Sequence, residues 1–374
     1  MIALKKKSLL YIGHEYHQKT QSTRFLLDMF REVFDVDIVF YDPDSRSFRP
    51  ENETVFIKDY YDLLVLFQMP IEPEEIKAKF NYGCASFFPM YDGCGEASEY
   101  FWLNYKEFNI INFSSTLHER LKKWGFASRY IQFFPKPAAE GIEQGDLKKA
   151  FLWQRVEAIN INTVSPMLEN LHVNRVHIHM AVDPGQPKVY PSEVVEKKYA
   201  FNYSEWFPSR QQLNECIESA AVYVAPRPYE GIGMSFLEAM AKGRCVIAIN
   251  HPTMNEYIRH GYTGLLYSDK KYELRGKADI RSIQNNTRAY IEKGYREWEG
   301  NKHRILDWIQ ENPVVDKKRL ERIQQYRRFK KSYFLGKVLL CGKTKENQFL
   351  FLGKLLLPQS VVNLIKKAKR VLLG

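Results

Sequence analysis

The stretch that most limits what this chain can fold into runs from Ala220 to Ala241. AAVYVAP (Ala220–Pro226) is a short run of small and β-branched residues, the pattern of a parallel strand buried on both faces. EGIGMSFLEAMA (Glu230–Ala241) follows, and its Met234, Leu237, Met240 and Ala241 share one helical face. Strand, glycine-bearing loop and helix in that order make an open α/β unit. Gly231 and Gly233 let the backbone approach a ligand without Cβ interference. The N–H groups of Gly231, Ile232, Gly233 and Met234 then meet the positive end of the helix dipole, which suits a diphosphate. Glu230 on the loop and Glu238 inside the helix can address one crevice at two depths, where hydroxyl-rich sugars are natural partners. The same turn also occurs as plain α/β architecture, so the residues beyond it have to decide.

Those residues continue an ordered pattern. Gly243 precedes a second apolar strand, Cys245–Ile249, and then come Glu256, Gly261 and Gly264. The whole string resembles the donor half of retaining glycosyltransferases of the GT-B fold, in particular glycosyltransferase family 4, the group 1 glycosyltransferases. Their pattern is E-G-x-G, a second Glu in L-E-A-M-A, then G-x-x-V-I-A, E-x-I and G-x-T-G-x-L. The resemblance implies an α/β protein of two Rossmann-like, doubly wound parallel-sheet domains facing across a cleft. It assigns Glu238 to the ribose hydroxyls of a UDP- or GDP-sugar and Glu230 to the hydroxyls of the transferred sugar. Gly231 to Met234 would take up the donor phosphates. It implies no metal cofactor and no enzymatic nucleophile.

Length and composition agree with two domains. The chain has 374 residues, 45% of them hydrophobic, and no apolar run of membrane-spanning length. MIALKKKSLLYIG at the start reads as a first strand rather than a signal peptide. Cys84, Cys94, Cys216, Cys245 and Cys341 have no metal-like spacing and read as reduced cytosolic thiols. The net charge of +11 is uneven: from Lys317 onward there are 16 Lys/Arg against 2 Asp/Glu. The rest of the chain is therefore mildly acidic, and an anionic partner belongs at the tail.

Residues 1–138 read as the acceptor-side domain. Ser8–Gly13 is its first strand, and the polar loop after it offers His14, His17, Lys19, Ser22 and Thr23 to an anionic or hydroxylated substrate. The plainer reading is a solvated loop in which Ser22 or Thr23 caps the helix that begins near Phe25. Val36–Tyr41, Leu63–Phe67, Ala85–Pro89 and Ile110–Phe113 are further strands. Ser114 or Ser115 caps a helix that Gly125 closes. Asp35, Asp37, Asp42 and Asp44 read as strand and turn edges rather than metal ligands. Asp92 follows a strand end on the crevice side. The family carries a His-Asp pair there; this chain has Tyr91-Asp92, so the resemblance transfers only Asp92.

Phe134–Gly141 reads as the interdomain linker and 146–312 as the donor domain. Phe151–Arg155 opens its sheet. The resemblance places Arg155 at the family's diphosphate-binding arginine, with Gln154 where glycine is usual and Asn160 near the position of a lysine. The missing cation falls to Arg227, to Lys242 or to the first domain. His177 and His179 alternate on one strand face and read as packing. Glu205, Trp206 and Phe207 fall near the nucleotide base by analogy, ahead of a helix expected over Gln211–Ala221. Thr287–Ile309 is helix-like and is expected to cross back onto the first domain. The tail, 313–374, mixes cations with aromatics around Arg327–Lys331. Its Val361–Leu373 segment has the pattern of an amphipathic helix lying on an anionic membrane surface. No nucleic-acid module is present in the sequence.

Together these features predict a metal-independent, retaining glycosyltransferase. It would move a sugar from a nucleotide sugar to a glycan or polyprenyl-linked acceptor on the cytoplasmic face of a bacterial membrane, in lipopolysaccharide or capsule synthesis. An epimerase or phosphorylase on the same fold is the rival enzyme. A non-catalytic subunit that binds glycan or membrane for a partner enzyme is the rival of another class.

Overall fold

The strands are short apolar runs separated by helices, and such runs bury both faces only in a parallel sheet covered by helices on each side. The computed structural model describes residues 6–53, 55, 57–138, 144–268 and 278–340, with side chains as far as Arg328 and excepting that of Lys19. Two sheets result. The first is built from β1 (Ser8–Gly13), β2 (Asp35–Asp42), β3 (Ser47–Pro50), β4 (Tyr61–Phe67), β5 (Tyr82–Phe88), β6 (Asn109–Asn112) and β7 (Ser128–Tyr130). Its order is β3-β2-β1-β4-β5-β6-β7, parallel except for the β2–β3 hairpin. The second comprises β8 (Asp146–Trp153), β9 (Arg175–His179), β10 (Ala200–Ser204), β11 (Ala220–Val224), β12 (Cys245–Ile249) and β13 (Leu265–Tyr267). Its order is β10-β9-β8-β11-β12-β13, parallel throughout.

Both sheets reverse direction once, between β1 and β4 and between β8 and β11. A doubly wound sheet opens a crevice at the carboxyl ends of the strands flanking that reversal. The loops holding His14, Arg155 and Glu230 leave such ends, and Asp92 follows β5, the neighbour of β4. The strands Ser8–Gly13 and Cys245–Ile249 lie as the sequence predicts. The helix expected over Gln211–Ala221 spans Arg210–Glu218 instead, because Ala220 and Ala221 already pair in β11. His177 and His179 are packed. Each lies 2.8 Å from the Ser204 hydroxyl and stacks near Phe151 and Phe207. Burial pushes both imidazoles down to about 4.

The two halves are held together by specific contacts. The Glu256 carboxylate, from the second half, accepts from Ser114 Oγ at 2.8 Å, Ser115 N at 2.8 Å and Thr116 N at 3.0 Å. It thereby caps the helix Ser115–Trp124 of the first half, where a negative charge is favoured by unpaired N–H groups and the dipole. The chain crosses back at Trp298, whose ring meets Phe25 and Phe133, and at Glu311, which pairs with Arg129 at 2.6 Å. The helix Lys317–Leu340 then lies on the first domain. Its Leu320 is 6% exposed within that domain's core, and the Asp316 N–H donates to the Gly125 carbonyl at 2.9 Å. The segment Val361–Leu373 and Cys341 fall outside the described residues. Among the described residues no helix is long and apolar enough to cross a membrane.

Removing the cap tests the docking directly. Glu256→Ala leaves two N–H groups and a hydroxyl without their acceptor. It is expected to lower stability by about 2 kcal/mol, read as an earlier urea midpoint. Loss of the cap without a shift in the midpoint would show that the aromatic and Glu311 contacts carry the docking alone.

Candidate functional site

The second sheet brings its two arginines level. β8 and β11 pair in parallel with Leu152 opposite Val224, and Arg155 and Arg227 each lie three residues further on. Between them stands Asp183, from the loop after β9. Arg155 Nε and one terminal nitrogen reach Asp183 Oδ1 at 2.9 and 2.7 Å, and Arg227 Nε reaches Oδ2 at 2.9 Å. One carboxylate therefore holds two guanidinium forks side by side, and the trio keeps a net positive charge. Its place at the reversal of the sheet is where a ligand is expected.

Glu230 sits beside this trio, 8% exposed, and its Oε1 has no partner among the described residues. Burial pushes its carboxyl up to about 7; Arg227 and Arg155 oppose the rise, and Asp92 and Asp183 add to it. Asp92 reaches the same place from the first domain, on the short helix Tyr91–Cys94 that leaves β5. Its carboxylate is open to solvent yet flanked by protein, which raises its pKa, and the Arg227 charge works against that rise.

The loop is shaped by two glycines. Gly233 has φ 84°, and a Cβ there would stand 1.9 Å from the Phe236 ring. A Cβ on Gly231 would stand 2.8 Å from Met90 Cβ of the first domain. Among the described residues nothing accepts the N–H groups of Gly231, Ile232, Gly233 or Met234. The helix Met234–Ala241 that follows buries Phe236, Leu237, Ala239, Met240 and Ala241, more of its circumference than one face. It is pressed between β11, β12 and the long helix Ile280–Asn301. Glu238 on that helix pairs with Arg210.

Several predicted residues stand apart from this cluster. His17 lies 2.8 Å from Ser22 Oγ and edge-on to Phe67, and His14 Nδ1 accepts the Tyr16 N–H. Burial lowers the pKa of His17, and the neighbouring His14 lowers it further. His17 and Lys19 lie on the short helix Tyr16–Thr20 and His14 just before it, at the crevice end of the first sheet. Thr23 begins the following helix but makes no side-chain cap. Lys242 is at the far end of the Glu238 helix and pairs with Glu218, whereas Arg227 stands level with Arg155. Asn160 is committed to capping the helix Ile161–Asn170. An open groove of about 650 Å³ lined by Tyr60, Lys77, Phe80 and Tyr82 lies at the opposite end of the first sheet and gathers none of these residues.

Three residues escaped the sequence reading. Asp183 is in a Val-Asp-Pro-Gly turn, whose composition marks a turn and nothing more. Thr253 Oγ1 donates to the Glu230 carbonyl at 2.8 Å. His251 meets Tyr229 edge-on at 4.4 Å between ring centres and Tyr91 of the first domain edge-on at 5.8 Å, bridging the cleft.

Residues 201–298 match the family model of glycosyl transferases group 1. The chain resembles group 1 glycosyltransferases and has the GT-B fold. Sucrose-phosphate synthase from Thermosynechococcus elongatus is similar at 13% identity and TM-score 0.51, over 87% of this chain and 100% of that one. A glycosyltransferase from Rickettsia africae is similar at 12% identity and TM-score 0.53, over 80% and 99%. TarM is also similar, at 14% identity and TM-score 0.47 over 72% of this chain, which spans 61% of TarM's length. Comparison with curated proteins gives no significant match. The Arg155–Asp183–Arg227 trio and Glu230 belong to the second domain, and Asp92 faces them from the first.

The state of Glu230 is measurable without a substrate. A carboxyl that rises from 4.5 to about 7 on folding costs stability as pH climbs from its unfolded value through its folded one. Below pH 4.5 both states are protonated and the cost vanishes. Glu230→Gln is therefore expected to match wild type in acid and to gain on it up to neutrality, by at most about 3 kcal/mol, with no further gain above. Denaturant melts of both proteins across that range check it; a pH-independent difference would mean that the carboxylate is solvated or paired.

Proposed function

We propose that this protein transfers a sugar from a nucleotide sugar to a hydroxyl acceptor in the GT-B cleft, with retention of the anomeric configuration. The observation that carries the reading is the level pair Arg155 and Arg227 beside the unpaired N–H groups of Gly231 to Met234, at the reversal of a doubly wound sheet. Two cations and a helix N-terminus aimed at one place suit a diphosphate. Negative charge grows on that diphosphate as it leaves, and fixed donors matter most where charge develops.

In this reading Glu238 receives the ribose hydroxyls, exchanging its bond with Arg210 for them. Glu230 meets the hydroxyls of the sugar. With its carboxyl pushed up to about 7, it can donate or accept a hydrogen bond near neutrality. The acceptor hydroxyl enters from the side of Asp92, His14 and His17. Its oxygen bonds to the anomeric carbon on the face from which the diphosphate departs, and its proton passes to the departing phosphate oxygen. The arginines supply the positive charge, so no step runs through a metal. A glycan or polyprenyl-linked acceptor in surface polysaccharide synthesis fits a protein whose basic tail follows a helix anchored on the acceptor-side domain. The same tail supports peripheral attachment to an anionic membrane.

The alternative of a non-catalytic subunit rests on two departures from the family resemblance: Tyr91 stands where a histidine is expected, and Asn160, near the expected lysine, caps a helix. Nucleotide binding weighs on the choice. UDP or GDP, without added metal, is expected to raise the melting temperature of wild type. A ligand at a hundredfold excess over its Kd contributes about 2.7 kcal/mol. Glu238→Ala and Arg227→Ala should abolish most of that rise. No shift with UDP, GDP or their sugars would favour the subunit.

A further inference from the structure

Thr253, in contact with the site, has a strained backbone. It is fully buried, is not glycine, and has φ 76° and ψ −61°. Those angles describe the centre of a γ-turn with positive φ, a conformation that is rare for any residue and steeply unfavourable for a β-branched one. Such strain persists only where the surroundings over-determine it, and it gathers at functional sites. Here the surroundings are firm. The short helix Met254–Tyr257 begins immediately after Thr253. Glu256 on that helix grips the first domain through Ser114, Ser115 and Thr116, and the Glu256 carbonyl accepts from Gln132 at 3.1 Å.

The strained geometry delivers one group to one place. Thr253 Oγ1 lies 2.8 Å from the Glu230 carbonyl oxygen and 3.4 Å from that of Gly231. Both carbonyls belong to the turn that precedes the unpaired N–H row. All peptide bonds here are trans, and in a trans peptide the C=O and the following N–H point in opposite directions. Drawing the Glu230 carbonyl inward onto Thr253 therefore turns the Gly231 N–H outward. It also fixes the backbone from which the Glu230 side chain springs, whose Oε1 has no partner.

We propose that Thr253 is a positioning residue for the donor loop: its hydroxyl, held in place by a strained γ-turn, sets the Glu230–Gly231 peptide so that the Gly231 N–H faces the diphosphate of a nucleotide sugar and the Glu230 side chain faces its sugar. This rests on the donor-site reading above and adds the element that pre-sets its geometry. Because the turn is continuous with the helix bearing Glu256, the loop is held in this setting by the same segment that docks the two domains.

The test separates binding from folding. Thr253→Gly accepts the positive φ without strain but has no hydroxyl; Thr253→Ser keeps the hydroxyl; Thr253→Val keeps the branched shape alone. UDP and GDP are titrated calorimetrically into each full-length protein, and each is melted without nucleotide. The Gly variant is expected to melt close to wild type and to bind the nucleotide roughly tenfold more weakly, the equivalent of one hydrogen bond. The Ser variant should bind as wild type does, and the Val variant, where it folds, should bind as weakly as the Gly variant. Wild-type affinity in the Gly variant, or a Ser variant as weak as Gly, overturns the proposal while leaving the donor site intact. A wild-type protein that binds neither nucleotide overturns the donor-site reading, and this proposal with it.

Discussion

The contact on which the rest of this molecule depends is a single carboxylate on a helix end. Glu256 reaches out of the second domain and caps the helix Ser115–Trp124 of the first. Without such a tie, two doubly wound sheets joined by a short linker would each present half a crevice to solvent. With it, Met90 packs against Gly231, Tyr91 against His251, and Asp92 comes within electrostatic reach of Glu230. A cap is suited to this work because its strength is directional: the N–H groups of one turn converge on one point, so the docking angle is specified along with the affinity. The aromatic contacts of Trp298 and the burial of Leu320 add area on the far side, and apolar area is far less particular about angle.

Charge at the cleft is arranged so that the cations cannot relax. Two neighbouring arginines at a cleft would normally turn outward to water. Asp183 prevents that by taking one guanidinium on each oxygen, at the cost of neutralising half their charge. Glu230 has the opposite problem. It is buried close to Asp92 and Asp183, and the arginines that might have ionised it are already engaged, so the proton stays on to about neutral pH. Each group is thus left partly unsatisfied, as the proposed binding of a nucleotide sugar requires.

Much of the fold was legible because it is written locally. The runs Ser8–Gly13 and Cys245–Ile249 have no other stable use than buried parallel strands, and Ser114 with Gly125 marks both ends of a helix. The glycine loop and its two glutamates were legible for the same reason. What the sequence could not show depends on register and on tertiary choice. Arg155 and Arg227 are 72 residues apart and become level only through the pairing of Leu152 with Val224. Asp183 reads as a turn residue until both arginines are seen to use it. Asn160 and Lys242 sit near phosphate-binding positions in sequence but are taken by a helix cap and by Glu218. The end of the helix before β11 was misplaced because Ala220 and Ala221 suit helix and strand alike, and pairing with β8 decides between them.

Unpaired polar groups distinguish the cleft from the cores around it. Ser86 Oγ and Trp102 Nε1 also lack partners among the described residues, but they are fully buried inside the first domain. At the sheet reversal the unpaired groups are of complementary kinds within one loop: N–H donors at Gly231 to Met234 and a carboxyl oxygen at Glu230. Neighbouring groups of opposite hydrogen-bonding character would ordinarily satisfy one another, and burial penalises leaving both open. They stay apart because the loop is not free to fold in on itself. Gly231 is stopped by Met90, Gly233 is turned by its positive φ, and the Glu230 carbonyl is held by Thr253. The free energy spent on keeping donors and acceptor separated leaves both kinds of group open at the cleft, the condition that the proposed transfer from a nucleotide sugar requires.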